Sequence, residues 1–409
     1  MHSISMKISA NYNSINFKGY DAKKLKALYM QNAESLLQQS MFSDIVKVGK
    51  KEGFDVFIHS KDKLISDEKD LPPVNYYTNN IDYWAQDNKI FIPSQDGKER
   101  IVSTEPFLEK RFKEAQEVSD LTGIPLQKTD LLLEGGNIFL GTKDNGENYI
   151  MVGNITFNTS AIYQFLKHQG VELTEESFKN FVEKGRTFKG KALISPIITY
   201  KEYEKEKDFW LAHTKKLFCE EFNVKEENIF HIPQANYHID LTMRPLKYPY
   251  VLVNDDEAVK KTLVDLEEKF DYKDDFISNV RNHLKEIEKD FEPSSVVKEK
   301  LEQYGFKPIM IPAALGYYNV NFLNAIVHER DNGLTYITNA PSWENDKRYE
   351  YLFNKFQNDI SEKAPDIKRM YGITGGHIKD GNETLSMFYL RNYYAGVHCI
   401  CAERPDFNK

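Results

Sequence analysis

The sequence predicts a mixed fold, α/β or α+β. Three observations support this. Apolar runs of strand length recur along the chain, amphipathic segments of helical period stand between them, and the two alternate from end to end. The 409 residues are 41% hydrophobic and 28% charged, enough apolar material for a large core and too much for a disordered chain.

The first 14 residues are polar and expected to be loose, leaving one domain over 15–409. Leu25, Leu28, Leu36 and Leu37 predict a helix over about 22–39, followed by a β-type run at 54–58. A second helix is expected over 106–121, with Gly123 and Pro125 just beyond as a stop signal. Strands are expected at 131–133, 138–140, 149–152, 250–253, 309–311, 322–327 and 334–337. Two charged blocks, 174–221 and 254–305, read as helical, the second through Val259, Leu263, Leu266, Phe270, Ile277, Val280, Leu284, Ile287 and Phe291.

Fifty-four Lys and Arg against 62 Asp and Glu leave a net charge of −8. That balance opposes nucleic-acid binding, which needs basic surface to displace phosphate counterions. The block 254–305 holds nine basic and fifteen acidic residues, so much of the acidity belongs to one solvated helical surface. No stretch approaches the roughly 20 apolar residues of a membrane helix. The start has no apolar signal region, and three cysteines make no disulfide framework, so a cytoplasmic protein is expected.

Four elements could carry chemistry. Cys399 and Cys401 lie in Gly396-Val397-His398-Cys399-Ile400-Cys401, whereas Cys219 sits on an expected helix as an inert thiol. A Cys-x-Cys pair alone is a poor zinc signal, and a nucleophilic thiol needs a partner that favours thiolate. His238 and Asp240 would face one way on an extended segment, imidazole for protons and carboxylate for a cation. Trp84 stands three residues before Asp87, and Glu134-Gly135-Gly136-Asn137 pairs two glycines that let backbone approach something closely. Taken singly, each has an ordinary structural reading: a core His-x-Asp, a hairpin turn.

In combination, Trp-x-x-Asp, Glu-Gly-Gly, His-x-Asp and a late Gly-x-His-Cys resemble the guanidino-group-modifying enzymes: agmatine, arginine and protein-arginine deiminases. The tract from Ile239 to Arg244 is similar to the agmatine deiminase pattern, Val397-His398-Cys399-Ile400 to the nucleophile segment, and 317–325 to the asparagine-rich strand before it. The resemblance implies a pentein fold of five ββαβ units about a pseudo-fivefold axis, with the charged blocks as insertions or enlarged crossovers on the rim. It implies a hydrolase that deiminates agmatine, arginine or peptidyl-arginine. Cys399 would be the nucleophile, preferred over Cys401 because the pattern places it directly after His. His238 would be the acid and base, Asp87 and Asp240 the guanidinium clamp, and Glu134 the group that orients His238. Trp84, Asn137, Arg244 and Asn324 would contact substrate. Carboxylates suit a planar cation rich in N–H donors.

Gln86 echoes the protein-arginine deiminases, but Asn88, Lys89 and Ile90 offer no acidic calcium ligands after Asp87, so activity without calcium or any other cofactor is expected. The segment 144–148 reads as a hairpin turn. An amidinotransferase, a non-catalytic binding protein on the same scaffold and a Cys-His protease are the competing readings. The expected partner is a small guanidino compound or an arginine-containing peptide, with no nucleic acid and no membrane; the sequence does not set the oligomeric state.

Overall fold

A computed structural model describes residues 24–31, 36–59, 75–77, 89–93, 98–104, 109–171, 173–187, 200–270, 276–315, 320–340, 347–374 and 397–405. Five sheets in it repeat one order, an antiparallel pair followed by a helical crossover to a parallel strand. In the first, β1 (Leu25–Gln31) passes through α1 (Leu36–Glu52) to the parallel β2 (Asp55–His59), with β3 (Asn75–Tyr77) beside it. In the second, β4 (Ile90–Pro93) and β5 (Glu99–Thr104) are antiparallel, and α2 (Glu109–Thr122) leads to β6 (Leu126–Thr129).

The third sheet joins β7 (Ile138–Thr142) to β8 (Asn148–Gly153) through the turn at 143–147. Its crossover contains α3 (Asn154–His168), α4 (Glu175–Thr187) and α5 (Tyr200–Phe222) and ends in β9 (Ile229–Ile232). The fourth runs from β10 (Met243–Pro245) and β11 (Tyr250–Asn254) through α6 (Asp256–Lys269), α7 (Phe276–Asp290) and α8 (Ser294–Gln303) to β12 (Lys307–Ile311). A short ladder, β13 (Ala314–Leu315) with β14 (Val320–Asn321), precedes the fifth: β15 (Ile326–Arg330), β16 (Gly333–Asn339), α9 (Lys347–Lys363) and β17 (Ile367–Ile373). Finally β18 (Cys401–Pro405) pairs antiparallel with β1 and completes the first sheet. Both charged blocks therefore lie in crossovers between parallel strands. No sheet closes on itself among the described residues.

The core lies between the sheets. β8 is buried at every position, as expected for a strand covered on both faces. One apolar cluster joins Ala27 and Tyr29 of β1 to Phe91 and Ile101; another joins Ile92 and Val102 to Leu140, Ile150 and Val152. A third joins Met151 and Phe230 to Met243 and Val253, and a fourth joins Leu252 and Ile311 to Val327 and Tyr336. The fifth joins Ile326, Ile337 and Ile373 back to Leu28, Met30 and Ile58. Each sheet thus shares apolar side chains with two others.

Several expectations are corrected. The stretch 25–31 is a strand, and the helix begins at Leu36. The 3–4 spacing of Leu25 and Leu28 is overridden by ladders to β18 on one side and β2 on the other. Residues 131–133 are irregular and the strand precedes them at 126–129, while 322–325 form a bend between β14 and β15. β6 (LQKT) and β17 (IKRMYGI) are too polar to signal strands on their own. The helix at 109–122 stops at Gly123, whose φ of 70° is the left-handed conformation that glycine tolerates. The first 14 residues lie outside the described ones.

One buried carboxylate ties the first sheet's helix to the fifth sheet. Glu52, the last residue of α1, accepts hydrogen bonds from Tyr371 Oη (2.7 Å), Thr335 Oγ1 (2.9 Å), Arg330 (3.1 Å) and Arg369 (3.3 Å). Burial pushes its carboxyl up, but the hydrogen bonds from Tyr371, Thr335 and Arg330 outweigh it and hold the pKa at about 2, against an ordinary 4.5. A depressed carboxyl contributes stability that is full above the unfolded value and is lost as pH falls from 4.5 towards 2. Glu52→Gln is expected to cost about 3 kcal/mol at neutral pH and to flatten the acid limb of stability over that window. Urea melts of both proteins at pH 7 and pH 3 check it; an unchanged acid limb would refute the assignment.

Candidate active site

Close backbone approach begins the site. Gly135–Asn137 form one helical turn that feeds β7. A Cβ on Gly136 would lie 2.4 Å from His238 Nδ1 and 3.1 Å from Asp240 Oδ1, so glycine is required for those two side chains to converge there. Their convergence is not that of a strand. His238 is extended, but Ile239–Leu241 form a short helical turn, and this corrects the expectation of an extended segment with one face.

Asn137 is buried and holds the His238 loop to the glycine turn. Its Nδ2 donates to Glu134 Oε2 (3.0 Å) and to the Tyr237 carbonyl (3.2 Å). Its Oδ1 accepts from Gln234 Nε2 and from the Ile239 amide, each at 3.1 Å. With both ends engaged, Asn137 acts on the backbone around it. Glu134 Oε2 also accepts from Thr156 Oγ1 (3.3 Å) and stands 3.6 Å from His238 Nε2.

Asp240 is fully buried. Its Oδ2 accepts from Asn324 Nδ2 (2.9 Å) and from His398 Nδ1 (2.8 Å), and it lies 3.8 Å from Cys399 Sγ. Its Oδ1 has no hydrogen-bond partner among the described residues. A buried carboxylate oxygen without a donor is costly, and a cationic N–H donor would offset that cost.

Asn324 connects these groups. Its Nδ2 reaches Cys399 Sγ (3.0 Å) as well as Asp240, and its Oδ1 accepts from the backbone amides of His398 (3.0 Å) and Cys399 (3.2 Å). Two further asparagines hold it in place. Asn321 Oδ1 accepts from the amides of Leu323 (2.9 Å) and Asn324 (3.0 Å), and its Nδ2 donates to the Leu241 carbonyl (2.8 Å). Asn339 donates to the Asn321 carbonyl (2.9 Å) and accepts from the Val397 amide (3.1 Å).

The two late cysteines do not share a strand face. Residues 397–400 form a turn closed by Cys401 N donating to the His398 carbonyl (3.1 Å), and β18 starts at Cys401. Cys399 lies among Asn324 and Asp240, whereas Cys401 packs in an apolar cluster. Burial, and then the neighbouring Glu403, push the Cys401 thiol well above its ordinary value and disfavour thiolate. Burial likewise pushes Cys219 up to about 11.

Arg244 is fully buried and directed at another side chain. It donates to Glu403 Oε1 (2.7 Å), with its guanidinium 5.3 Å from the Phe139 ring centroid. His398 stacks on the same ring at 5.9 Å, and its Nε2 lies 3.4 Å from Glu403 Oε1. His398, Glu403, Phe139, Gln234, Asn321 and Asn339 all contact this network but were not singled out from the sequence. His398 lies inside the Gly-x-His-Cys motif and Asn321 inside the asparagine-rich tract 317–325, whereas Glu403 and Phe139 carry no local signal. Trp84, Gln86 and Asp87 lie outside the described residues. No group of three His, Cys, Asp or Glu able to hold a metal occurs among the described residues, and no described helix is long and apolar enough to cross a membrane.

No family model matches the chain, and no curated protein matches it. Among solved structures it is similar to a C. jejuni agmatine deiminase, at 16% identity and a TM-score of 0.51, over 95% of this chain and 96% of that one. An arginine dihydrolase from the ornithine-ammonia cycle in cyanobacteria aligns at 12% identity and a TM-score of 0.31, over 94% of this chain and 39% of that one. The likeness to the deiminase is one of fold: a pentein-type arrangement of small sheets and helices.

Proposed function

We propose that the protein is a hydrolase that deiminates a guanidino compound at Cys399. The observation that carries this reading is the placement of Cys399 Sγ and Asp240 Oδ2 on one amide, Asn324 Nδ2, at 3.0 and 2.9 Å, with Asp240 Oδ1 left without a partner among the described residues. A thiol next to a buried carboxylate suits a substrate whose electrophilic carbon is flanked by N–H donors. The five sheets are read as the five blades of a propeller, with this site between them.

In the reaction, Asp240 Oδ1 accepts from the guanidinium, with Asp87 as the second carboxylate of the clamp. The substrate's positive charge favours thiolate at Cys399. The thiolate attacks the central carbon, an S–C bond forms, and a tetrahedral adduct results. His238, oriented by Glu134, gives a proton to one nitrogen; the C–N bond breaks and ammonia leaves a thiouronium. His238 then takes a proton from water as its oxygen attacks the same carbon. The S–C bond breaks as the adduct's remaining hydroxyl proton passes to solvent, releasing the ureido product and the thiolate. Asn324, donating to Sγ, holds the nucleophile against Asp240 throughout. Asn137 and Arg244, expected to contact substrate, are read instead as supports, because their hydrogen bonds run to Glu134, Tyr237 and Glu403.

Ammonia release from agmatine, free arginine and an arginine peptide, assayed side by side with and without a calcium chelator, tests the reading. Release from at least one is expected, unaffected by the chelator. No release from any of the three would overturn it.

A further inference from the structure

Behind Asp240 runs a second set of buried groups that the reaction above does not use. Arg244, Glu403 and His398 are 0%, 5% and 5% exposed. They form a continuous series: Arg244 donates to Glu403 Oε1 at 2.7 Å, the same oxygen stands 3.4 Å from His398 Nε2, and His398 Nδ1 meets Asp240 Oδ2 at 2.8 Å. A carboxylate only accepts, so Nδ1 is the donor in the last contact. Phe139 packs against both Arg244 and His398 and fixes the plane of the ring.

We propose that His398 is a positioning residue: anchored by the Arg244–Glu403 pair, it occupies Asp240 Oδ2 so that Oδ1 is held free for the guanidinium. The inference rests on the deiminase reading of the site. The physical reason is the geometry of a carboxylate. With Oδ2 taken by two donors, Asn324 Nδ2 and His398 Nδ1, rotation about the Cβ–Cγ bond would cost both hydrogen bonds. The carboxylate is therefore fixed before substrate arrives, and positioning of that kind contributes to rate and affinity without touching substrate.

The Arg244–Glu403 pair keeps the ring in place through a second N–H: Nδ1 donates to Asp240, and Nε2, facing a carboxylate oxygen, holds the ring there as a donor. Burial raises the Glu403 carboxyl, but the Arg244 guanidinium and the His398 ring bring it below its ordinary value, so a carboxylate faces Nε2. Arg244 sits on β10 and Glu403 on β18, so the device spans two sheets and holds the nucleophile turn at 397–400 against the Asp240 loop.

The test compares His398→Asn, whose amide nitrogen falls near the ring Nδ1, with His398→Gln, whose amide reaches Glu403 instead, and adds His398→Ala and Glu403→Gln. Each is assayed for kcat and KM with whichever guanidino substrate the wild type turns over, and for binding of that substrate by calorimetry in the Cys399→Ala background. Thermal melts report folding. His398→Ala is expected to weaken binding at least tenfold and lower kcat/KM about 100-fold. His398→Asn should remain within about tenfold of wild type, and Glu403→Gln should fall between them. If His398→Ala does not fold, the decisive comparison is Gln against Asn, with Gln at least tenfold worse. Equal damage in Asn and Gln, or a folded His398→Ala with kcat/KM within about twofold of wild type, overturns the proposal. A wild type that turns over none of the three substrates sinks the deiminase reading and this inference with it; an active wild type indifferent to His398 sinks only the inference.

Discussion

Cys399→Ala is expected to abolish ammonia release, a loss of at least about 10⁴-fold, because without the thiolate no covalent step is available. Cys401→Ala is expected to keep turnover within about threefold and to lower stability by about 1 kcal/mol, through the small cavity left among apolar neighbours. The environments of the two thiols set this contrast. Cys399 Sγ is 3.0 Å from an amide donor, Asn324 Nδ2, which stabilises negative charge on sulfur. Cys401 has no such help: burial and Glu403 both raise its pKa. Ammonia assays on the two variants, with melting curves to separate folding from chemistry, check the pair. The reverse pattern, with Cys401→Ala inert and Cys399→Ala active, would refute the assignment of the nucleophile.

Asp240→Asn is expected to lower kcat/KM by about 10³-fold or more while leaving the fold intact. The substitution is nearly isosteric, so packing around this buried residue is preserved. The chemistry is not. Oδ2 accepts from Asn324 Nδ2 and His398 Nδ1, and the variant must keep its amide oxygen there to satisfy both. Its amide nitrogen then occupies the Oδ1 position, where it opposes the N–H donors of a guanidinium. Turning the amide over instead would set donor against donor at Asn324 and His398. Either choice loses substrate binding, and KM is expected to rise together with the fall in kcat. A variant that melts normally and keeps more than about a tenth of wild-type kcat/KM would show that Asp240 does not hold the substrate.

Much of the helical framework was legible locally. The charged blocks at 174–221 and 254–305 read as helical, the second from its apolar periodicity, and α4–α5 and α6–α8 occupy them. The stop at Gly123 was readable for the same reason, since a left-handed helix end is a property of one residue. β1 was not readable, because Leu25 and Leu28 fit a helical spacing until β18 and β2 pair on either side of them. β6 and β17 carry too little apolar sequence to signal strands, and become strands because β5 and β16 offer them a parallel edge.

The same division runs through the site. Sequence by itself offered Asp240 as a carboxylate suited to a cation and His238 as its proton-handling neighbour, and the resemblance to the guanidino-group-modifying enzymes added Glu134, Asn324 and Cys399. The sequence also said that a glycine beside Glu134 would meet something closely. Only the tertiary structure decided what: the ring of His238 and the carboxylate of Asp240, at Gly136. Only it joined Asp240, Asn324 and Cys399, which lie 84 and 75 positions apart in the chain, through one amide. Arg244 and Glu403, 159 positions apart, became an ion pair with no trace of it in either local sequence. Local motifs record which groups are present, whereas the direction in which a buried group spends its hydrogen bonds depends on the sheet that folds against it.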